Sequence, residues 1–115
     1  MNYVDGFIVA VANDKKEEYK QFALDAAAVF KDCGAMRVVE CWGHDVPEGK
    51  YTSFPMAVKL EANETVVFSW IIWPNQEVRD KGMEKSMDDP RMQSSGMPFD
   101  GKRMIFGGFE MMIDE

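Results

Sequence analysis

Two acids lie in runs where an acid is costly. Asp5 falls within YVDGFIVAVA (residues 3–12) and Glu40 within AMRVVECWG (residues 35–43), and both runs are otherwise largely apolar. A carboxylate set among apolar groups has a raised pKa, because losing water disfavours its charged form, and a raised pKa suits acid–base work. Asp5, Glu40 and His44, the only histidine, are therefore the candidate catalytic residues. Trp42 and Trp70 are candidate walls for a small organic ligand, and Arg79 and Arg103, together with Arg91, are candidate clamps for an anionic one. The same residues have a structural use. Each acid can pair with an arginine or lysine at a subunit seam, the tryptophans Trp42, Trp70 and Trp73 can anchor core and interface, and the arginines can neutralise the many acids.

Other chemistries carry no signal. Cys33 and Cys41 form no Cys-x-x-Cys pair and stand by no histidine cluster, so two free thiols are expected. There is no P-loop, dinucleotide glycine motif, zinc spacing or Ser-His-Asp pattern. No metal, haem, other cofactor or disulfide is expected to be needed for folding. The net charge is −7, and an acidic chain is repelled by nucleic acid and by anionic membrane surfaces. No apolar run approaches the length of a membrane span, and the start of the chain lacks the positive region of a signal peptide. A cytosolic protein is expected, with no nucleic-acid or membrane partner. At 115 residues the chain fits one domain, residues 1–115.

The elements that must position these residues are legible in the pattern. ETVVFSWIIWP (Glu64 to Pro74) is apolar at both its even and its odd positions. Alternate side chains of a strand point to opposite faces, so this is a central strand covered on both sides. YVDGFIVAVA is a first strand of the same kind. Asp14, with Glu17 three residues on, predicts a capped helix whose stripe is Tyr19, Phe22, Ala23, Ala26, Phe30 and Cys33, ended by Gly34. Residues 35–43 form the second strand and 44–53 a loop. Residues 54–60 alternate as an extra strand would, or form a short helical turn. Pro74-Asn75 starts a second helix that runs to Asp89 and stops at Pro90. Gly82 within it predicts a close backbone approach. Residues 91–102 form a loop and 103–113 the last strand, where Gly107-Gly108 suggests a bulge or a close crossing.

The order strand–helix–strand–strand–helix–strand is the ferredoxin-like βαββαβ motif, an α+β fold. It places two helices on one face of a four-stranded antiparallel sheet. The other face is apolar too, and a second copy packed sheet against sheet is the economical cover. Several longer strings carry a resemblance: YVDGF (3–7), GAMRVVECWGHDVPEGK (34–50), ETVVFSWIIWP, residues 79–83, DDPRM (88–92) and PFDGKRMIFGGFE (98–110). Together they resemble the YbaA-like family of small bacterial proteins of uncharacterised function, in the dimeric α+β barrel superfamily. That resemblance implies the fold and a homodimer and supplies no reaction. At position 44 the relatives usually carry an acid, so it implies no family-wide catalytic histidine. The expectation is a cytosolic homodimer that binds or converts a small organic ligand in a sheet-lined pocket. The alternative is a structural or interaction dimer with no such site.

Overall fold

The computed structural model describes residues 1–93 and 96–115. Four strands, β1 (Tyr3–Ala12), β2 (Arg37–Trp42), β3 (Glu64–Trp73) and β4 (Ile105–Glu110), form one sheet in the order β2-β3-β1-β4. Each neighbouring pair is antiparallel. The two doubly apolar strands, β1 and β3, are the central pair, as their patterning requires. This is the ferredoxin-like α+β architecture.

Helices α1 (Lys16–Asp32) and α3 (Gln76–Asp88) cover one face. That face carries Tyr3, Asp5, Phe7, Val9 and Val11 of β1, and Val67, Ser69, Ile71 and Trp73 of β3. Trp73 is wholly buried, its ring edge-on to Phe30 of α1. Gly34, at φ +115°, ends α1 in the left-handed conformation that glycine tolerates best. Asn75 caps α3 by accepting a hydrogen bond from the Val78 amide at 2.8 Å. A Cβ on Gly82 would come within 2.5 Å of both the Cys33 carbonyl and the Trp73 ring, so α3 lies close against the end of α1 and the sheet.

The start of α1 differs from the capping box predicted at Asp14. A 3₁₀ turn, Asn13–Lys15, precedes the helix, and no side chain caps it. The cause is tertiary. The Asn13 amide donates to the Asn63 carbonyl, and its side chain accepts from the Thr65 hydroxyl. The chain is thereby tied beside β3, and Asp14 lies inside the tight turn.

Residues 54–60 take the helical alternative. The short helix α2 (Phe54–Ala57) is capped by Ser53, whose hydroxyl accepts from the Met56 amide. The buried Val58 then packs on Ala10 and Val66, on the sheet face opposite α1 and α3. Phe54 meets Phe68 on that face, ring to ring. So the second face is covered at one end, where two helices alone had been expected to leave it bare. Phe68, Ile105 and Phe109 remain exposed on the rest.

The loop expected over 91–102 is partly helical. Pro90 opens α4 (Pro90–Gln93) where it was expected only to stop a helix, since its missing N–H costs nothing in a first turn and Asp89 accepts from the Arg91 amide. Ser94 and Ser95 lie outside the described residues. The last strand is shorter than 103–113. Arg103 is held in a 3₁₀ turn (Gly101–Arg103), and the far end stops where Glu110 pairs with Tyr3, the first residue of β1. No helix among the described residues is long and apolar enough to cross a membrane.

Candidate functional site

Asp5 and Glu40 share the helix-covered face, with β3 between them. Asp5 lies opposite Ile71 of β3, and Glu40 lies opposite Ser69 of the same strand. Their surroundings differ completely.

Asp5 is buried beneath α3 and saturated. The Trp73 indole donates to its Oδ2 at 2.9 Å, and Arg79 of α3 grips both oxygens, with Nη2 2.7 Å from Oδ1 and Nε 3.1 Å from Oδ2. Arg79 also lies over the Tyr3 ring, 5.0 Å from its centroid. The hydrogen bonds to Asp5 push the Arg79 pKa further up, against the opposing effect of burial. Gly108 of β4 makes room for this group, since a Cβ there would collide with the Tyr3 hydroxyl and lie 2.8 Å from Arg79 Nη2. The bulge suggested at Gly107-Gly108 does not occur, because the register with β1 runs unbroken. Side chains, not a crossing backbone, approach the glycine.

Glu40 stands on the edge strand β2 and remains exposed as a residue. Its carboxyl is nonetheless crowded. The buried Tyr19 of α1 donates to Oε1 at 2.7 Å, and the Ser69 hydroxyl also hydrogen-bonds it. Partial loss of water raises the Glu40 pKa above its ordinary 4.5, outweighing both hydrogen bonds, which pull it down. The Tyr19 hydroxyl is pushed well up, by burial first and by the Glu40 charge second.

Beside this pair a cavity of about 390 Å³ opens between α1 and β2. Ala23, Leu24, Ala27, Val38, Val67 and Trp42 form its apolar wall; Tyr19, Glu40, Lys16 and Lys20 supply the polar groups. Lys16 Nζ sits over the Trp42 ring at 5.1 Å. The α1 residues repeat at helical spacing, 16, 19, 20, 23, 24 and 27, so one stripe of the helix forms one wall.

The other residues singled out in the sequence stand elsewhere. Trp70 lies on the opposite face, opposite Gly6 of β1 and in ring contact with Phe68. His44 is exposed beyond the end of β2, at a wider, more polar cleft of about 650 Å³ formed with residues of α2 and the turn before β3. Arg103 is a tether. Its Nη1 and Nη2 take the two oxygens of Glu64 at 2.8 and 2.7 Å, and Nη1 also donates to the Val58 and Lys59 carbonyls. Hydrogen bonding to Arg103 holds the Glu64 carboxyl below its usual pKa. Arg91 pairs with Asp32 and Asp89. Of the eight candidates, then, Glu40 and Trp42 share a cavity, and Asp5 and Arg79 share an ion pair within the chain. Tyr19, Lys16 and Lys20 had been passed over. A tyrosine inside an apolar helix stripe was the available signal, because a buried hydroxyl needs a partner.

Comparison with known proteins places this geometry. A family model described as a protein of unknown function, DUF1428, matches residues 2–101. The chain is 62% identical to the uncharacterized protein YbaA of Escherichia coli (strain K12) over 117 aligned positions, covering 100% of both chains. It is equally similar to YbaA of Shigella flexneri. Among solved structures it resembles SnoaB, a cofactor-independent oxygenase from Streptomyces nogalater, with TM-score 0.59 and 12% identity over 97% of this chain and 95% of that one. It also resembles an uncharacterized NIPSNAP domain protein from Burkholderia xenovorans, with TM-score 0.57 and 15% identity over 98% and 99%. At such identities the structural likeness is one of fold alone.

Proposed function

The chain belongs to the DUF1428 family and is similar to YbaA along its whole length, and we propose that it is a homodimer whose protomers each hold a small organic ligand between α1 and β2. One observation carries the reading: an apolar cavity of about 390 Å³ ends at a carboxyl group whose pKa is raised. Ligand sites are concave, mostly apolar, roughly 300–1,000 Å³ in volume and furnished with few polar groups, often with perturbed pKa values. In this reading Glu40 exchanges a proton with the ligand, giving it up in its neutral form or receiving it as the carboxylate, while Tyr19 holds Oε1 in place. Asp5 and Arg79 fix α3 to the sheet and Arg103 fixes the α2 segment; both stand outside the chemistry.

The homodimer rests on the second sheet face. Phe68, Ile105 and Phe109 are exposed there beside the half-buried Val4, Trp70 and Ile72, an apolar surface that a second copy would remove from water. The two free cysteines suit a reducing compartment, which supports a cytosolic location. The same exposed face favours a second reading, an interaction dimer with no small-molecule site.

Ligand-observed NMR with a fragment library separates the two readings. Fragments should bind the wild type and be lost on Ala27→Trp, which fills the cavity, while light scattering still gives twice 13.1 kDa. Fragment binding untouched by Ala27→Trp, or none in the wild type, overturns the ligand site. A stable wild-type monomer overturns the dimer.

A further inference from the structure

We infer that the ligand of the α1–β2 cavity is an organic anion, its charged group held at the rim by Lys16 and Lys20 and its apolar body lying against Ala23, Ala27 and Trp42. This rests on the preceding reading of the cavity and adds the chemical class of what fills it.

Three features point the same way. The cavity carries two ammonium groups against one carboxyl, whereas the chain as a whole has a net charge of −7. The lining thus carries more positive than negative groups on an acidic protein, and it would favour an anion that the rest of the surface repels. Next, the two lysines are one helical turn apart, and Lys16 is the first residue of α1. Like charges at that spacing destabilise a helix, and a cation in the first turn opposes the helix dipole, so local stability argues against this arrangement. Finally, no carboxylate among the described residues forms an ion pair with either lysine. Among the described residues the cations in ion pairs are Arg79, Lys81, Arg91 and Arg103. Lys16 rests instead on the face of Trp42, which holds its ammonium group at the cavity mouth while leaving its hydrogen-bond donors unused by any acid. Glu40 lines the same cavity and accepts from Tyr19, and its raised pKa lessens the repulsion an incoming anion would meet.

The test is calorimetric titration of the full chain with 1-naphthoate and with 1-naphthamide, which share a body and differ in charge. Naphthoate should bind about tenfold more tightly at low salt, a difference of about 1.4 kcal/mol, and the preference should shrink as salt is added. Lys16→Gln and Lys20→Gln should each weaken naphthoate several-fold and leave naphthamide unchanged, and Lys16→Arg should retain most of the affinity. Equal binding of the two probes, or naphthoate binding indifferent to both lysines, overturns the anion inference while the cavity reading stands. If neither probe binds at millimolar concentration, or binding of both survives Ala27→Trp, the cavity reading falls with it.

Discussion

Asp5 and Glu40 are the same chemical group on the same face of one sheet, both set in apolar strands, and they meet opposite fates. Asp5 lies on a central strand under a helix, where Arg79 and Trp73 supply four N–H···O contacts to its two oxygens. Glu40 lies on the edge strand, where α1 stands far enough off to leave a cavity, and its hydrogen bonds come from two neutral hydroxyls. A buried carboxylate without partners costs several kcal/mol, so the first environment stays folded only because it is saturated. The second keeps a carboxyl with two neutral donors at the border of the cavity, the group that the proposed ligand site uses. Alternation in the sequence marks both acids as unusual; the count and charge of their donors separate a paired carboxylate from one with neutral partners.

Substitutions can break this contrast, and the largest effect belongs to the saturated side. Arg79→Met strands Asp5 in the core and should destabilise the protein by about 3 kcal/mol in urea or thermal unfolding. Asp5→Asn should cost less, about 2 kcal/mol, because Arg79 keeps Asp80 and some access to water. The double variant should lose clearly less than the sum, since the two residues touch. If both single variants unfold like the wild type, the pair is not the anchor described above.

Gly108→Ala tests the packing around that pair. The new Cβ would run into the Tyr3 hydroxyl and Arg79 at the middle of a strand pair, where the backbone has little room to yield. A loss of about 2 kcal/mol is expected, and an unchanged melting temperature would show that the group shifts freely.

On the open side the effects shrink. Tyr19→Phe removes one hydrogen bond to Glu40 and should cost about 1 kcal/mol. It should also move the Glu40 titration, followed by carboxyl carbon NMR, to higher pH, since that hydrogen bond favours the charged form.

Glu40→Gln is the smallest, within about 0.5 kcal/mol at pH 4, where the wild-type side chain is largely protonated too. The pH dependence carries the information. The folded-state pKa of Glu40 lies above 4.5, so the folded protein holds this proton longer than the unfolded chain does. The associated stability is fully present below 4.5 and is lost as pH rises through the folded-state value. The glutamine variant lacks that loss, so the difference between the two should move in its favour from pH 4 to pH 7. A difference moving the other way would mean that Glu40 is stabilised as a carboxylate, as a structural ion pair would be.

Much of this was legible in the residues. The doubly apolar Val66 to Trp73 run had to be a covered central strand, Gly34 and Asn75 had to bound helices, and Gly82 had to mark a close approach. Asp5 and Glu40 stood out because charges interrupt apolar alternation. The pairing of Asp5 was not legible, since its partner Arg79 is 74 residues away and several arginines were equally eligible. Trp70 could be assigned to a face relative to its own strand and not relative to the helices. Residues 54–60 carried a strand-like alternation, and the Ser53 cap with Pro55 beside it won only because Val58 then finds a buried place on Ala10 and Val66.

By itself, then, the sequence determined the strands and helices, their order and hence the ferredoxin-like sheet, and the presence of two misplaced acids. These follow from local periodicity, from caps and from the cost of leaving apolar residues in water, all of which act over a few residues. Only the tertiary structure decided which acid is neutralised and which faces a cavity. That depends on where α1 and α3 come to rest on the sheet, and on which donors, distant in the chain, arrive within 3 Å of an oxygen.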